Sequence, residues 1–328
     1  MIITKTPFRI SFCGGGSDLP SFYEKFGGCV LSTSINKYMY ISIHPYFNPQ
    51  QTVLKYSQSE LVDDISKIKH SIFNCVLSDM NIKGVEITST ADVPAGTGLG
   101  SSSTFTVGLL HALHCYIGKY CSKASLAEQA CNVEINKLGN PIGKQDQYAA
   151  AIGGLNFIRF NQDGTVSHEP IMMKAETYKS LQKNLLMFYL GTARSANSIL
   201  VEQKQNMLDE LKANNLLAMC DLAREMKTSL ERNDLSNFGA ILHENWKLKQ
   251  TLASVISDSE INRVYEKGIK AGAKGGKLLG AGGGGFMLFY CEPEYQERLR
   301  MSLGLKSMDF SFDRDGTSVI YIDDKYLE

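Results

Sequence analysis

Hydrophobic positions change their period along the chain, and each change marks a new kind of element. From Lys37 to His44, Tyr38, Tyr40, Ser42 and His44 alternate with Met39, Ile41 and Ile43, which predicts a half-buried strand. Short β-branched runs at Ile2–Thr6, Cys29–Ile35, Thr52–Tyr56 and Val85–Thr90 predict further strands. After Asp92 the spacing becomes helical. Phe105, Leu109, Leu113 and Tyr116, with Val107, Leu110 and Ile117 beside them, suit a well-buried helix. A second helix is expected to open at the capping box Ser125-Leu-Ala-Glu128 and to stop at Gly139. Residues 144–151 read as a short helix and Leu155–Phe160 as a strand.

From about residue 180 the sequence starts again with a strand, Leu185–Leu190. Helical stretches follow near 195–213, 215–231, 235–254 and 259–271, with apolar strands at Gly285–Cys291 and Thr317–Asp323. Strands followed by helices in each half, without regular βαβα alternation, predict an α+β fold. The expected division is 1–180 and 181–328, with a tight interface, since no low-complexity linker separates the halves. A length of 328 residues agrees with about two domains at roughly 150 residues each.

Composition narrows the function. Lysine plus arginine and aspartate plus glutamate both number 34, so the chain lacks the basic excess that nucleic-acid binding needs. No apolar run approaches the roughly 18–20 residues of a membrane span, and Lys5 and Arg9 interrupt the N-terminal stretch, as no signal peptide would. The eight cysteines are scattered with no CxxC pair, which argues against zinc and thiol redox chemistry and for a reducing, cytoplasmic setting. Oligomeric state is left open by the sequence.

The 29 glycines cluster, and the densest cluster carries the chemistry. Asp92-Val-Pro-Ala-Gly-Thr-Gly-Leu-Gly-Ser-Ser-Ser-Thr104 lies between a predicted strand and an apolar helix. Gly96, Gly98 and Gly100 allow close backbone approach to an anion. Ser101, Ser102 and Ser103 open the helix, where free N–H groups and the dipole attract phosphate, and a serine hydroxyl can reach magnesium. Pro94 to Ser103, Leu99 included, therefore reads as a phosphate loop. It is not a Walker loop, because the GxxxxGK[ST] lysine is missing, and the protein-kinase HRD and DFG signatures are absent. Gly280-Ala-Gly282-Gly-Gly-Gly285 satisfies GxGxxG, but a strand follows where a dinucleotide site needs a helix.

Two further glycine clusters flank this loop in sequence. One is Pro7-Phe-Arg-Ile-Ser-Phe-Cys-Gly-Gly-Gly-Ser-Asp-Leu-Pro20, and the other is Gly275-Gly-Lys-Leu-Leu-Gly-Ala-Gly-Gly-Gly-Gly-Phe286. Pro7–Asp18, Pro94–Ser103 and Lys277–Gly285 together resemble, in order, the three motifs of the GHMP superfamily of small-molecule kinases. The first motif and Gly191-Thr-Ala-Arg-Ser-Ala196 are most similar to its heptose 7-phosphate kinase branch, with fucokinase-like sugar kinases next. The resemblance implies a ribosomal-protein-S5-like N-terminal domain, a ferredoxin-like C-terminal domain, and ATP with a sugar in the cleft between them.

It also implies roles. Asp146, in Gly143-Lys-Gln-Asp-Gln147, matches the family's catalytic aspartate, which takes the proton of the attacking hydroxyl. Arg9 aligns with the arginine that faces this aspartate and the transferred phosphate. Glu134 matches the magnesium-binding glutamate, with Ser102 as its companion. Asp18 aligns with an acid that grips sugar hydroxyls, beside Gly16 and Ser17, and Gly282 and Gly283 face the substrate from the third motif. The implied reaction is ATP- and Mg²⁺-dependent phosphorylation of the anomeric hydroxyl of heptose 7-phosphate. Kinases of an unphosphorylated sugar and a silent sugar-binding regulator are the alternatives.

Leu190-Gly-Thr-Ala-Arg194-Ser195-Ala-Asn197 ends a predicted strand and opens a predicted helix. N–H groups, hydroxyls and a guanidinium there suit a distal phosphate, which assigns Arg194 and Ser195 to the substrate. His111 and His114 are read as packing or surface residues, and 202–212 as a solvated helix face.

Overall fold

The structure is a computed structural model and describes residues 1–191, 201–202, 210–253 and 256–326. Strand β1 (Ile2–Cys13) pairs antiparallel with β2 (Gly28–Pro45) along most of its length. The two predicted strands Cys29–Ile35 and Lys37–His44 are thus one. Asn36, at the break between them, stays extended because its N–H donates to the Ser311 carbonyl while its Oδ1 accepts from the Ser311 N–H. A register shift between Pro7 and Phe8 absorbs the mismatch.

Around this pair, β5 (Val85–Ala91), β3 (Thr52–Lys55) and β4 (Ser59–Val62) extend one side, and β6 (Leu155–Phe160) and β7 (Val166–Pro170) pair outward from the other part of β2. The eighth strand, β11 (Ser318–Ile322), lies antiparallel to the free edge of β1. A cut at residue 180 assigns β11 to the second unit, yet its hydrogen bonds belong to the first sheet. Helix α3 (Ser101–Tyr116) covers this sheet. It approaches β1 closely at Gly108, whose carbonyl accepts from the Thr4 hydroxyl at 3.0 Å.

Helix α4 (Lys123–Cys131) begins earlier than its sequence signal. Ser122 is the cap, accepting from the Ser125 N–H at 3.2 Å, and Glu128 instead accepts from the Tyr148 hydroxyl. The helix widens into a π turn over Asn132–Lys137 that ends at Leu138, next to the predicted stop at Gly139. Helix α5 (Gln145–Ile152) follows. Helices α1 (Pro20–Phe26), α2 (Ser71–Met80) and α6 (Ala175–Lys183) complete the first half.

In the second half, β8 (Leu185–Tyr189), β10 (Phe286–Tyr290) and β9 (Gly275–Leu278) form an antiparallel sheet with β10 in the centre. Helices α7 (Glu210–Glu231), α8 (Phe238–Gln250), α9 (Ser259–Lys270) and α10 (Pro293–Leu303) belong to this half. The predicted helix near 195–213 falls mostly outside the described residues. One continuous core runs through both halves. Phe12 of β1 meets Phe238 of α8 edge to face at 5.4 Å, and the Cys13 thiol contacts the Met226 sulfur. This interface fixes where the glycine loops meet.

Candidate active site

Strand β1 carries Arg9 into the space between the halves, where only 4% of it is exposed. Its Nε and Nη2 donate to the two carboxylate oxygens of Asp146 at 2.6 and 2.7 Å, and its Nη1 donates to the Gly98 carbonyl at 2.6 Å. A guanidinium suits this place because a planar fork can bind both oxygens at once. Asp146 sits in the first turn of α5 and keeps 24% of its side chain exposed toward the cleft. Gln145 beside it donates to Asp146 Oδ1 at 3.0 Å, and the Ser11 hydroxyl donates to Gln145 Oε1 at 2.7 Å. The carboxylate is therefore aimed from both β1 and α5.

Asp18 lies in the loop after β1. Its carboxylate accepts from the N–H groups of Gly16 and Gln145 at 2.9 and 3.2 Å. Burial, with the charge of Asp146 adding to it, pushes the Asp18 carboxyl above its usual range, and those N–H groups pull it back. The phosphate loop runs into α3 through Gly100, which adopts a left-handed backbone with φ 83°. Gly98 and Gly280 meet back to back, and a Cβ on Gly280 would lie 2.4 Å from the Gly98 Cα. Glycine is required at that crossing, where the third motif rests on the phosphate loop.

At the base of the loop the Ser102 hydroxyl donates to Glu134 Oε1 at 2.6 Å, and Gln147 Nε2 donates to Oε2 at 2.8 Å. Glu134 is fully buried, which pushes its carboxyl upward, while the hydrogen bonds from Ser102, Ser103 and Gln147 oppose that shift. Among the described residues no cluster of three or more His, Cys, Asp or Glu side chains could hold a metal. One carboxylate and one hydroxyl remain as hard oxygen donors.

Arg9, Asp18, Ser102 and Asp146 border a cleft of about 320 Å³, and Glu134 lies outside its lining. Arg9, Gly16, Asp18, Gly96, Gly98, Gly100, Ser101, Ser102, Ser103, Asp146 and Gly282 all line it, so the three glycine-rich stretches and Asp146 meet at one cleft. Four positions are turned to structural use instead. The Ser17 hydroxyl is occupied by Cys29, donating to its carbonyl and accepting from its N–H at 3.0 Å each. Leu99 is buried and its carbonyl accepts from the Arg9 N–H. Gly283 is buried with its N–H on the Ile256 carbonyl. Pro94 is exposed outside the lining, with its carbonyl taking the Thr97 hydroxyl. Arg194 and Ser195 lie outside the described residues.

Lys249 of α8 lines the cleft as well and carries no motif. Its sequence signal is a lysine on the buried stripe Leu242, Asn245 and Trp246, at spacing i, i+3, i+4, i+7. Gln145 beside Asp146 carries no motif either, and Gln147, inside the stretch that carries Asp146, has no role in the sequence reading.

The pattern of the GHMP kinases N terminal domain matches residues 66–154, and that of the GHMP kinases C terminal domain matches residues 226–303. D-glycero-alpha-D-manno-heptose 7-phosphate kinase of Campylobacter jejuni is 31% identical over 330 residues, covering 96% of this chain and 97% of that protein. The chain belongs to the GHMP kinases. As such it is an ATP-dependent phosphotransferase with the two-domain fold of that family. A crystal structure of a D-glycero-D-manno-heptose 1-phosphate kinase from Bacteroides thetaiotaomicron superposes with a TM-score of 0.80 at 26% identity, covering 98% of this chain and all of that one. L-fucokinase/L-fucose-1-P guanylyltransferase of Bacteroides fragilis is 26% identical over 91% of this GHMP kinase, which spans 35% of that longer protein.

Proposed function

We propose that this kinase phosphorylates the anomeric hydroxyl of D-glycero-D-manno-heptose 7-phosphate, giving the 1,7-bisphosphate for nucleotide-heptose synthesis. The observation that carries the reading is the end-to-end match to the Campylobacter jejuni heptose 7-phosphate kinase, joined to a cleft in which Asp146 is aimed by Arg9. The product of that step carries a phosphate at C1, and the name of the superposed structure refers to the same sugar.

In this reading Asp146 accepts the proton of the attacking hydroxyl as the phosphoryl group moves. Arg9 holds the carboxylate in place and offers positive charge where the equatorial oxygens develop theirs. Gly96 to Ser103 present N–H groups and the N-terminus of α3 to the phosphates of ATP. Asp18 and Gly16 bind sugar hydroxyls, joined by Gly282 across the cleft.

Ser102 and Glu134 fit magnesium. Both offer hard oxygen, and the neighbouring Gln147 Oε1 is buried with no partner among the described residues. A bound Mg²⁺ would neutralise phosphate charge there while keeping several of its waters. The two residues fix its side of the loop, and the π turn carrying Glu134 aims the carboxylate at α3.

Among the described residues no helix is long and apolar enough to cross a membrane, and all eight cysteines are free. Free thiols support work in the reducing cytoplasm. The test is ATP consumption with heptoses, hexoses and their phosphates. Heptose 7-phosphate is expected to give the highest kcat/KM, and Arg194→Ala to raise its KM without affecting that for ATP. Equal use of heptose and heptose 7-phosphate, or a preference for L-fucose, overturns the assignment in favour of a free-sugar kinase.

A further inference from the structure

The roles above leave one charged group of the cleft without a task. Lys249 is 5% exposed, yet its side chain reaches the cleft from α8. Its ammonium donates to the Gly280 carbonyl and, among the described residues, pairs with no carboxylate. An ammonium has three donors, so two remain for something else. Holding a buried cation without a counter-ion destabilises a fold, and a bound anion would supply the missing partner. Burial pushes Lys249 well below the ordinary lysine range, with Lys277 of β9 and Arg9 of β1 adding to the effect. Asp18, in the loop after β1, and Asp146 of α5 oppose it.

Position says which ligand. Gly280, which holds the ammonium, is packed against Gly98 of the phosphate loop, and the Gly98 carbonyl holds Arg9, which grips Asp146. The chain Lys249, Gly280, Gly98, Arg9, Asp146 is thus contiguous, and its two cations come from opposite halves of the molecule.

We propose that Lys249 is a catalytic residue that hydrogen-bonds the phosphoryl group in flight, matching from the second half the charge that Arg9 supplies from the first. In the step, the acceptor oxygen forms a bond to the γ-phosphorus, and the bond from that phosphorus to the bridging oxygen of ADP breaks, its electron pair leaving with ADP. The acceptor proton goes to Asp146. Lys249 neither gives nor takes a proton, and donates only to the non-bridging oxygens.

The inference rests on the kinase chemistry, not on the identity of the sugar. The experiment compares Lys249→Met and Lys249→Arg with wild type using heptose 7-phosphate, L-fucose and galactose as acceptors. Lys249→Met should lower kcat roughly 10²–10³-fold while moving the KM for ATP by less than about threefold. Lys249→Arg, or added methylammonium with Lys249→Ala, should restore part of the rate. Affinity for ADP with aluminium fluoride, which needs no acceptor turnover, should fall in Lys249→Met while affinity for ADP alone holds. The unliganded Lys249→Met protein should melt no lower than wild type, because an uncompensated buried charge has gone.

Turnover of Lys249→Met within about threefold of wild type overturns the proposal. So does a loss that comes with a lower melting temperature, no recovery by arginine or amine, and unchanged aluminium fluoride binding, which is the signature of a strut for Gly280. Failure of the wild type on heptose 7-phosphate overturns the acceptor reading alone, since the ratio of variant to wild type is read on whichever sugar is used.

Discussion

The two halves bring polar groups to the cleft in opposite states of satisfaction. On the first-half wall Arg9 spends Nε, Nη1 and Nη2 on Asp146 and Gly98, Gln145 bonds both Asp146 and Ser11, and Asp18 is held by two backbone N–H groups. Behind the cleft in the second half, Asn245 Oδ1 accepts from the Gly14 N–H at 3.1 Å, but its buried Nδ2 and the Trp246 Nε1 have no partner among the described residues. Among the described residues Lys249 has a single carbonyl, and Lys277, on β9 behind the cleft, has only the Phe12 carbonyl at 3.1 Å. A satisfied network is rigid before substrate arrives, so it can aim a base. An unsatisfied one keeps capacity in hand for a ligand.

The most severe way to break the first wall is Asp146→Asn. Its shape is nearly conserved, so folding and ATP binding should persist while turnover drops roughly 10²–10⁴-fold. Near-normal turnover in the folded variant would remove Asp146 from the chemistry.

The second wall can be sharpened by titration. Burial holds Lys277 at about 8 against an ordinary 10.5, while the adjacent Cys13 thiol is pushed up to about 12 and stays protonated throughout. A depressed lysine contributes stability that is fully present above pH 10.5 and is lost as pH falls through 8. Wild type minus Lys277→Met, measured by denaturant unfolding, should therefore gain on the order of 3 kcal/mol between pH 7.5 and 10.5. A flat difference would mean that Lys277 is not held as an uncompensated cation.

Arg9→Lys replaces the fork with a point charge and leaves the Asp146 carboxylate free to turn. A loss of about 30-fold in kcat, with ATP affinity changed little, is expected from steady-state kinetics. Full activity would show that aiming does not depend on the fork. Smallest is the metal pair. Ser102→Ala and Glu134→Gln should each raise the magnesium concentration for half-maximal rate about tenfold, and the double variant should fall short of the sum because both act on one ion. Additive losses at saturating magnesium would count against a shared site.

Glycine motifs made most of the first wall legible, because a loop that approaches phosphate must have glycine at fixed places. Strand β6 appears at its predicted bounds, Leu155–Phe160, a mostly buried run that starts directly after Gly153 and Gly154. Helix α10 gave no apolar stripe, as Leu299 is its one fully buried side chain, so periodicity had nothing to report. Lys249 escaped notice for another reason. A lone lysine on a helix reads as solvent-facing until its neighbours Leu242, Asn245 and Trp246 are known to be buried. Ser17 and Gly283 sit inside the right motifs, but only the packing of Cys29 and Ile256 reveals that their polar groups are spent.

Strand β11 has a consequence for how the protein is made. Among the described strands it follows all the others in sequence, yet it closes the exposed side of β1, which precedes them. Thr317, just before it, also joins Thr6 and His111 through its hydroxyl. Until β11 has been made, β1 therefore presents an open edge of unpaired N–H and C=O groups, the kind of surface on which nascent chains pair wrongly. A chaperone that acts before β11 is made would meet β1 with one edge still open.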